Sequence, residues 1–181
     1  ARIIYFLLQK EPSYGKRLAE LIQATRKNMR LCQQSFHYFY SEDQSETLSP
    51  IARDPNRDHT KILVVESDTD LDNIESLGIW RGTYFVLGGV LKPSLHELEY
   101  ERYIKLSDFR RTLSQKCNDN KLDEVVLGLS STVNGDFTAE VIQAILAEIS
   151  SDIKISKLAR GLSTGTALEY VDKLFCEIHG L

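Results

Sequence analysis

The carboxylate of Glu66 is the side chain in this sequence best placed to bind a ligand or a metal ion. It ends an apolar run, residues 62–66, that predicts a buried β-strand. A short acidic segment follows, and a second apolar run, residues 83–87, then stops at Gly88-Gly89. This order predicts a strand–helix–strand unit with parallel strands. Because open α/β sheets bind ligands and metals at the carboxyl ends of their strands, Glu66 is expected at such a site.

The start of the chain is strongly basic. Residues 1–30 hold seven Lys and Arg against two Glu, a net charge of +5, although the whole chain carries −4. A basic segment on an acidic body is typical of a phosphate-binding face, but also of an ordinary solvated helix, and both interpretations stay open. The candidate phosphate-contacting residues are Arg2, Lys16, Arg17, Arg26, Lys27 and Arg30.

Length and composition restrict the class of protein. The 181 residues suit one compact domain or two small ones, and the apolar runs are too short to span a bilayer. Cys32, Cys117 and Cys176 form neither a disulfide framework nor a CxxC pair, which favours reduced thiols in the cytoplasm. The chain begins at Ala1 within an apolar helical pattern, so we expect its natural start to lie upstream.

The first sixty residues predict two helices and an irregular module. A helix is expected over residues 2–9, and Pro12 opens a second one that runs to about Arg30. Its predicted apolar stripe consists of Leu18, Leu21, Ile22 and Met29. Residues 32–60 are irregular, with a possible short strand at 36–40 and turn chemistry at 53–58.

From Lys61 onwards, strands alternate with helices. Strands are predicted at 62–66, 83–87, 124–129 and 154–158, and helices at 70–76, 107–117, from Asp136 or Phe137 to 149, and from Gly165 onwards. Residues 91–105 are predicted to form a loop. This pattern predicts an α/β fold with a mainly parallel sheet flanked by helices.

Several segments resemble the RecR family of bacterial recombination mediators, in the same order and at matching spacing. Val64-Val65-Glu66 and the run 82–93 are similar to the strands of that family's Toprim domain. The other similar segments are residues 31–35, 53–58, 132–139, 158–162 and 168–172. The resemblance implies four parts: the end of a helix-hairpin-helix region (1–31), a degenerate zinc-finger-like module (32–60), a Toprim domain (61–159) and a C-terminal tail and helix for subunit contacts (160–181).

The zinc module of the family uses two CxxC pairs, and this sequence departs from it. The corresponding positions are Cys32 and Ser35, then Ser49 and Ala52, so only Cys32 is retained. A structural zinc site needs four good ligands. We therefore predict that the chain binds no zinc and needs no cofactor.

The resemblance also implies an acidic site, because catalytic Toprim domains hold Mg²⁺ with a glutamate and an Asp-x-Asp pair. The corresponding residues are Glu66 and Asn134-Gly135-Asp136, with Asp70 nearby. Asn134 carries no charge, so only weak Mg²⁺ binding is expected, and the site is interpreted as vestigial and non-catalytic. An alternative role for Asp136 is to stabilise the start of a helix. The alternative function is an Mg²⁺-dependent Toprim enzyme that acts on nucleic acid phosphodiesters through Glu66 and Asp136.

The leading hypothesis is a RecR-like DNA-binding clamp or scaffold in recombinational repair, without chemistry of its own. The resemblance implies DNA, RecO-like and RecF-like repair proteins, and further copies of the chain (a dimer or tetramer) as partners, with no membrane. Arg2 is the strongest DNA-binding candidate, because it falls at a position similar to a basic DNA-contacting residue of the family. A diverged protein-interaction module that has lost DNA binding is a third possibility.

Overall fold

The computed structural model describes residues 2–119 and 121–158. The elements in chain order are α1 (Arg2–Leu8), α2 (Pro12–Asn28), β1 (Met29–Leu31), β2 (Tyr38–Tyr40), α3 (Pro50–Arg53), β3 (Asp58–Val65), α4 (Asp68–Leu77), β4 (Gly82–Val86), a 3-10 helix (Glu97–Arg102), α5 (Leu106–Asn118), β5 (Glu124–Gly128), α6 (Val133–Ile149) and β6 (Lys154–Lys157).

A four-stranded parallel sheet with strand order β4-β3-β5-β6 forms the centre of the fold. Successive residues of β3 point to opposite faces, as the period of a strand requires. Ile62 and Val64 pack into a core with residues of α5 and α6, whereas Leu63 and Val65 pack against α4 and Trp80. Helices therefore cover both faces, and the predicted α/β fold with a parallel sheet flanked by helices is confirmed.

Residues 32–57 form a small module that is attached along β4. β1 and β2 pair antiparallel, and Cys32, Phe39 and Ala52 form a separate core beside them. The amide of Val86 at the end of β4 donates to the carbonyl of Ser35 at 2.8 Å. The rings of Phe36 and Phe85 lie 5.0 Å apart. The module is thus joined to the sheet by backbone and aromatic contacts.

The helix α2 differs from its prediction in two ways. It ends at Asn28, so Met29 and Arg30 belong to strand β1 and not to the helix. Its predicted apolar stripe is not buried by the described residues: Leu21 is 65% exposed and Ile22 is 53% exposed. Helical periodicity was correctly identified, but periodicity alone does not specify what a helix packs against.

Two further differences from the sequence prediction concern a helix that was not predicted and a helix that begins earlier than predicted. The predicted loop 91–105 contains the 3-10 helix Glu97–Arg102, which begins with a capping box between His96 and Glu99. Helix α6 starts at Val133, three or four residues earlier than predicted, because the Thr132 side chain caps it. The predicted helix from Gly165 onwards lies outside the described residues.

Candidate acidic site and basic helix

Glu66 lies immediately after β3, at the carboxyl edge of the sheet, as its place in the sequence predicted. Its backbone carbonyl accepts a hydrogen bond from the amide of Gly88 at 2.9 Å. Its side-chain Oε1 accepts one from the backbone amide of Ser130 at 2.5 Å. The carboxylate therefore holds the loop between β5 and α6 against the end of β3.

Asn134 and Asp136 lie in the first turn of α6, on the other side of that loop. A carboxylate at this position interacts favourably with the helix dipole and stabilises the start of the helix. This is the alternative role that the sequence predicted for Asp136. Gly135 between them allows a very close approach, because a Cβ at this position would lie 2.1 Å from the carbonyl oxygen of Ser130. The loop residue Ser130 thus contacts both Glu66 and the Asn-Gly-Asp turn.

An open cleft of about 250 Å³ lies beside this turn. Its polar lining comes from Ser130, Ser131, Asp136 and Lys157, and Leu127 and Leu158 provide part of its apolar lining. Glu66 does not line it. The structure therefore brings Glu66 and Asp136 to the same corner of the sheet, but they do not share this cleft.

The carboxylates that follow Glu66 have structural partners. Asp70 Oδ2 accepts hydrogen bonds from the backbone amide of Ser67 at 3.0 Å and from its hydroxyl at 2.6 Å. These bonds complete the capping box that starts α4. Asp68 Oδ1 accepts from the backbone amide of Tyr38 at 2.6 Å and so joins α4 to the small module.

This set of groups is a poor metal site. Within residues 2–119 and 121–158, no group of three or more His, Cys, Asp or Glu side chains could hold a metal ion. Mg²⁺ requires near-octahedral oxygen ligands, and here Asn134 is uncharged while Glu66 and Asp70 are engaged by Ser130 and Ser67. The zinc implied by the family resemblance does not fit either, because Cys32 is accompanied by Ser35, Ser49 and Ala52 and contributes one thiolate.

The basic candidates of α2 occupy one broad side of the helix. Lys16 and Lys27 are eleven residues apart, which puts them within about 20° of each other around the helix axis. Arg17 lies about 100° from Lys16 in one direction, and Arg26 about 80° from it in the other. Lys16 Nζ lies 4.0 Å from the Glu20 carboxylate, and both side chains are exposed. The polar lysines lie opposite the exposed apolar stripe of the same helix.

Arg2 and Arg30 lie outside α2. Arg2 is the first residue of α1. The Arg30 guanidinium donates to the carbonyls of Lys27 at 2.7 Å and Met29 at 3.0 Å. Arg30 therefore stabilises the carboxyl end of α2, a role that the sequence analysis did not assign to it.

Sequence reasoning missed two groups at this end of the sheet. The amide of Ser130 gives no sequence signal, because any residue except proline supplies an N–H. Lys105, placed in a predicted loop, donates from Nζ to the carbonyls of Phe36 at 3.2 Å and Val86 at 3.4 Å. Burial lowers the pKa of Lys105, although Asp68 and Asp108 oppose this effect.

Comparison with known proteins agrees with this geometry. Residues 60–159 match the Toprim domain family, so the sheet and its acidic corner define a Toprim-domain protein. The chain is also 35% identical over 172 residues to the recombination protein RecR of Francisella tularensis subsp. novicida, covering 95% of this chain and 79% of that protein. It is 33% identical over 172 residues to RecR of Chloroflexus aggregans (95% and 78%) and 32% identical over 175 residues to RecR of Bifidobacterium adolescentis (96% and 80%). The chain belongs to the RecR family of recombination proteins, as its motifs predicted.

Proposed function

We propose that this protein is a recombination mediator in DNA repair and that it acts as a DNA-binding clamp or scaffold without catalysing a reaction. The observation that carries this function is the match to RecR proteins over 95% of the chain. The state of the acidic corner supports the non-enzymatic part. Asn134 replaces a carboxylate, the Glu66 carboxylate accepts from Ser130, and Asp70 is a helix cap.

DNA binding is assigned to the basic side chains of the first thirty residues. Lys16, Arg17, Arg26 and Lys27 project from α2, which has no buried residue. Arg30 lies two residues beyond the end of α2, and Arg2 begins the preceding helix α1. Lys and Arg that contact phosphates give an affinity that depends on salt and little on base sequence. Such binding suits a scaffold that must work at any position in a genome.

The finer assignments are also proposals. Residues 1–31 end a helix-hairpin-helix region, 32–60 form the degenerate zinc-finger-like module, 61–159 form the Toprim domain, and 160–181 make subunit contacts. The partners are DNA, RecO-like and RecF-like repair proteins and further copies of the chain in a dimer or tetramer. The proposed location is the cytoplasm. No helix among the described residues is long and apolar enough to cross a membrane.

Two measurements on the full chain test this function. The first is the affinity for fluorescently labelled duplex and single-stranded DNA at salt concentrations from about 50 to about 200 mM, over which six phosphate contacts would cost roughly 10³-fold in affinity. The second is incubation of DNA with Mg²⁺ or Mn²⁺ and either the native protein or Glu66→Gln. We expect salt-dependent binding and no cleavage. Metal-dependent cleavage that disappears in Glu66→Gln would establish the Toprim enzyme instead, and absence of DNA binding would favour the protein-interaction module.

A further inference from the structure

The small core around Cys32 brings together two pairs of residues that are far apart in the chain. Cys32 and Ser35 form one pair and Ser49 and Ala52 the other, each with a spacing of three residues. Cys32 and Ser49 have no exposed surface, and Ser35 is 2% exposed. The backbone amide of Ser49 donates to Cys32 Sγ at 3.4 Å, so the two pairs are in direct contact.

Each pair lies in its own hydrogen-bonded turn. The amide of Phe36 donates to the carbonyl of Cys32 at 2.9 Å, and the amide of Arg53 donates to the carbonyl of Ser49 at 3.1 Å. The Ser49 hydroxyl also accepts from the amide of Ala52 at 3.2 Å and thereby caps α3. The two turns bring together the four positions at which the RecR resemblance implies zinc-binding cysteines, and this chain has a cysteine at one of them.

The buried polar groups at these positions have hydrogen-bond partners within the module. The Cys32 sulfur accepts a hydrogen bond from the Ser49 amide, and the Ser49 hydroxyl accepts one from the Ala52 amide. The Ser35 hydroxyl lies 2.8 Å from His37 Nδ1. Phe39 and Leu48 fill the apolar side of the core. Buried polar groups paired in this way carry little desolvation penalty.

We infer that this module folds without metal yet retains the geometry of a tetrahedral site, so that cysteines at Ser35, Ser49 and Ala52 convert it into a binding site for a zinc-type divalent cation. Ser-to-Cys replacement changes little volume, and Ala52 is buried beside Cys32 in the same core. The inference is independent of the proposed DNA function, since it concerns only how residues 32–57 are held together.

Metal content and chelation test the first half of this inference. The native full-length protein is purified from zinc-containing medium, its zinc content is measured, and its thermal unfolding is recorded with and without EDTA. We expect no stoichiometric zinc and an unchanged Tm. One zinc per chain, or a Tm that falls in EDTA, would show that the native module needs metal.

The triple variant S35C/S49C/A52C tests the second half. Titration with Co²⁺ reports tetrahedral thiolate coordination through visible absorption, and competition with Zn²⁺ gives the affinity. We expect one Co²⁺ per chain and zinc binding tighter than about 10⁻⁷ M, as in structural zinc sites. Addition of C32S to the triple variant should abolish the four-thiolate spectrum. If the triple variant does not fold, the double variant S35C/S49C, with three thiolates, is titrated instead. A folded variant that binds no Co²⁺ would overturn the retained geometry.

Discussion

The guanidinium of Arg57 holds the carboxylate of Glu75 through two parallel hydrogen bonds, Nη1–Oε1 at 3.0 Å and Nη2–Oε2 at 2.5 Å. Arg57 Nη1 also donates to the carbonyl of Gly82 at 3.1 Å, and the Tyr84 hydroxyl donates to Glu75 Oε1 at 2.6 Å. These contacts link the turn before β3 to α4 and β4. They fix the position of α4 on the sheet, and Glu66 and Asp70 lie at the other end of that helix.

Loss of the Arg57 side chain should therefore destabilise the Toprim domain. The Arg57 side chain is only 13% exposed, so Arg57→Ala leaves the Glu75 carboxylate partly buried without its main partner. We expect the free energy of unfolding to fall by about 3 kcal/mol, the cost of breaking a largely buried ion pair from one side. Urea denaturation followed by circular dichroism measures this change.

Arg53→Ala provides the matched control. Arg53 Nη1 lies 2.7 Å from Glu46 Oε1, but the Arg53 side chain is about half exposed. A surface ion pair contributes at most about 1 kcal/mol, so this variant should remain close to the native stability. Equal losses in the two variants would mean that burial does not strengthen the Arg57 pair.

The buried His37 should make stability depend on pH on the acidic side of neutrality. Burial lowers the pKa of His37 below its ordinary value of 6.5, although Asp68, Asp72 and Glu75 oppose the shift. The folded state therefore favours the neutral ring, and below pH 6.5 the unfolded state binds more protons. The stabilisation is complete above pH 6.5 and is lost as the pH falls through the lowered pKa.

Thermal unfolding from about pH 8 to about pH 5 measures this dependence. We expect the Tm of His37→Asn to fall less steeply with acidification than that of the native protein. In the variant, no buried imidazole takes up a proton when the chain unfolds, so acid does not favour the unfolded state through this residue. His96→Asn is the control, since His96 is exposed and asparagine also serves as a helix cap. A native pH slope retained in His37→Asn would assign the acid sensitivity to other groups.

Asp70 should behave as a helix cap and not as a metal ligand. Asp70→Ala removes the acceptor of two hydrogen bonds from Ser67, and we expect a loss of about 1 kcal/mol of stability. Asp72→Ala on the same helix should cost little, because Asp72 is exposed. Unfolding is measured in EDTA and again in Mg²⁺. A Tm increase in Mg²⁺ that occurs in the native protein but not in Asp70→Ala would instead identify Asp70 as a cation ligand.

The basic residues of α2 should set the salt dependence of DNA binding. Lys16→Ala with Lys27→Ala removes two cations from the same side of the helix. If both contact phosphates, the slope of log affinity against log salt should become shallower by about 2. Arg2→Ala in the double variant should make the slope shallower by roughly one more unit. Arg30 is a poor choice for this test because it also binds backbone carbonyls at the end of α2.

The control for this experiment is Arg102→Ala with Lys121→Ala. This variant also removes two positive charges, so its change in net charge equals that of the Lys16/Lys27 variant. Both side chains are exposed and pair with nearby carboxylates. We expect an unchanged slope in the control. Equal effects of the two double variants would indicate a general response to net charge and not a local phosphate-binding surface.

The parallel sheet was predictable because buried strands are short, apolar and separated by helical patterns. The start of α6 was not, because Asn134 and Gly135 have low helix propensity, and the cap at Thr132 determines the start instead. The positions of Glu66 at the carboxyl end of β3, and of Asp136 near the start of the helix that follows β5, follow from chain order alone. The contact of Glu66 with Ser130 does not, since it depends on β3 and β5 being neighbours in the sheet.

The sequence by itself determined which chemical groups this protein possesses: one thiolate where a zinc module needs four, an amide at Asn134 where a carboxylate would bind Mg²⁺, and a basic first helix pair. Residue type fixes charge and ligand chemistry regardless of the fold. Only the tertiary structure decided how those groups are used, because their partners lie far away in the chain. Ser49 reaches Cys32 across 17 residues and Ser130 reaches Glu66 across 64, and distances of this kind are set by strand order and packing, which local periodicity does not encode.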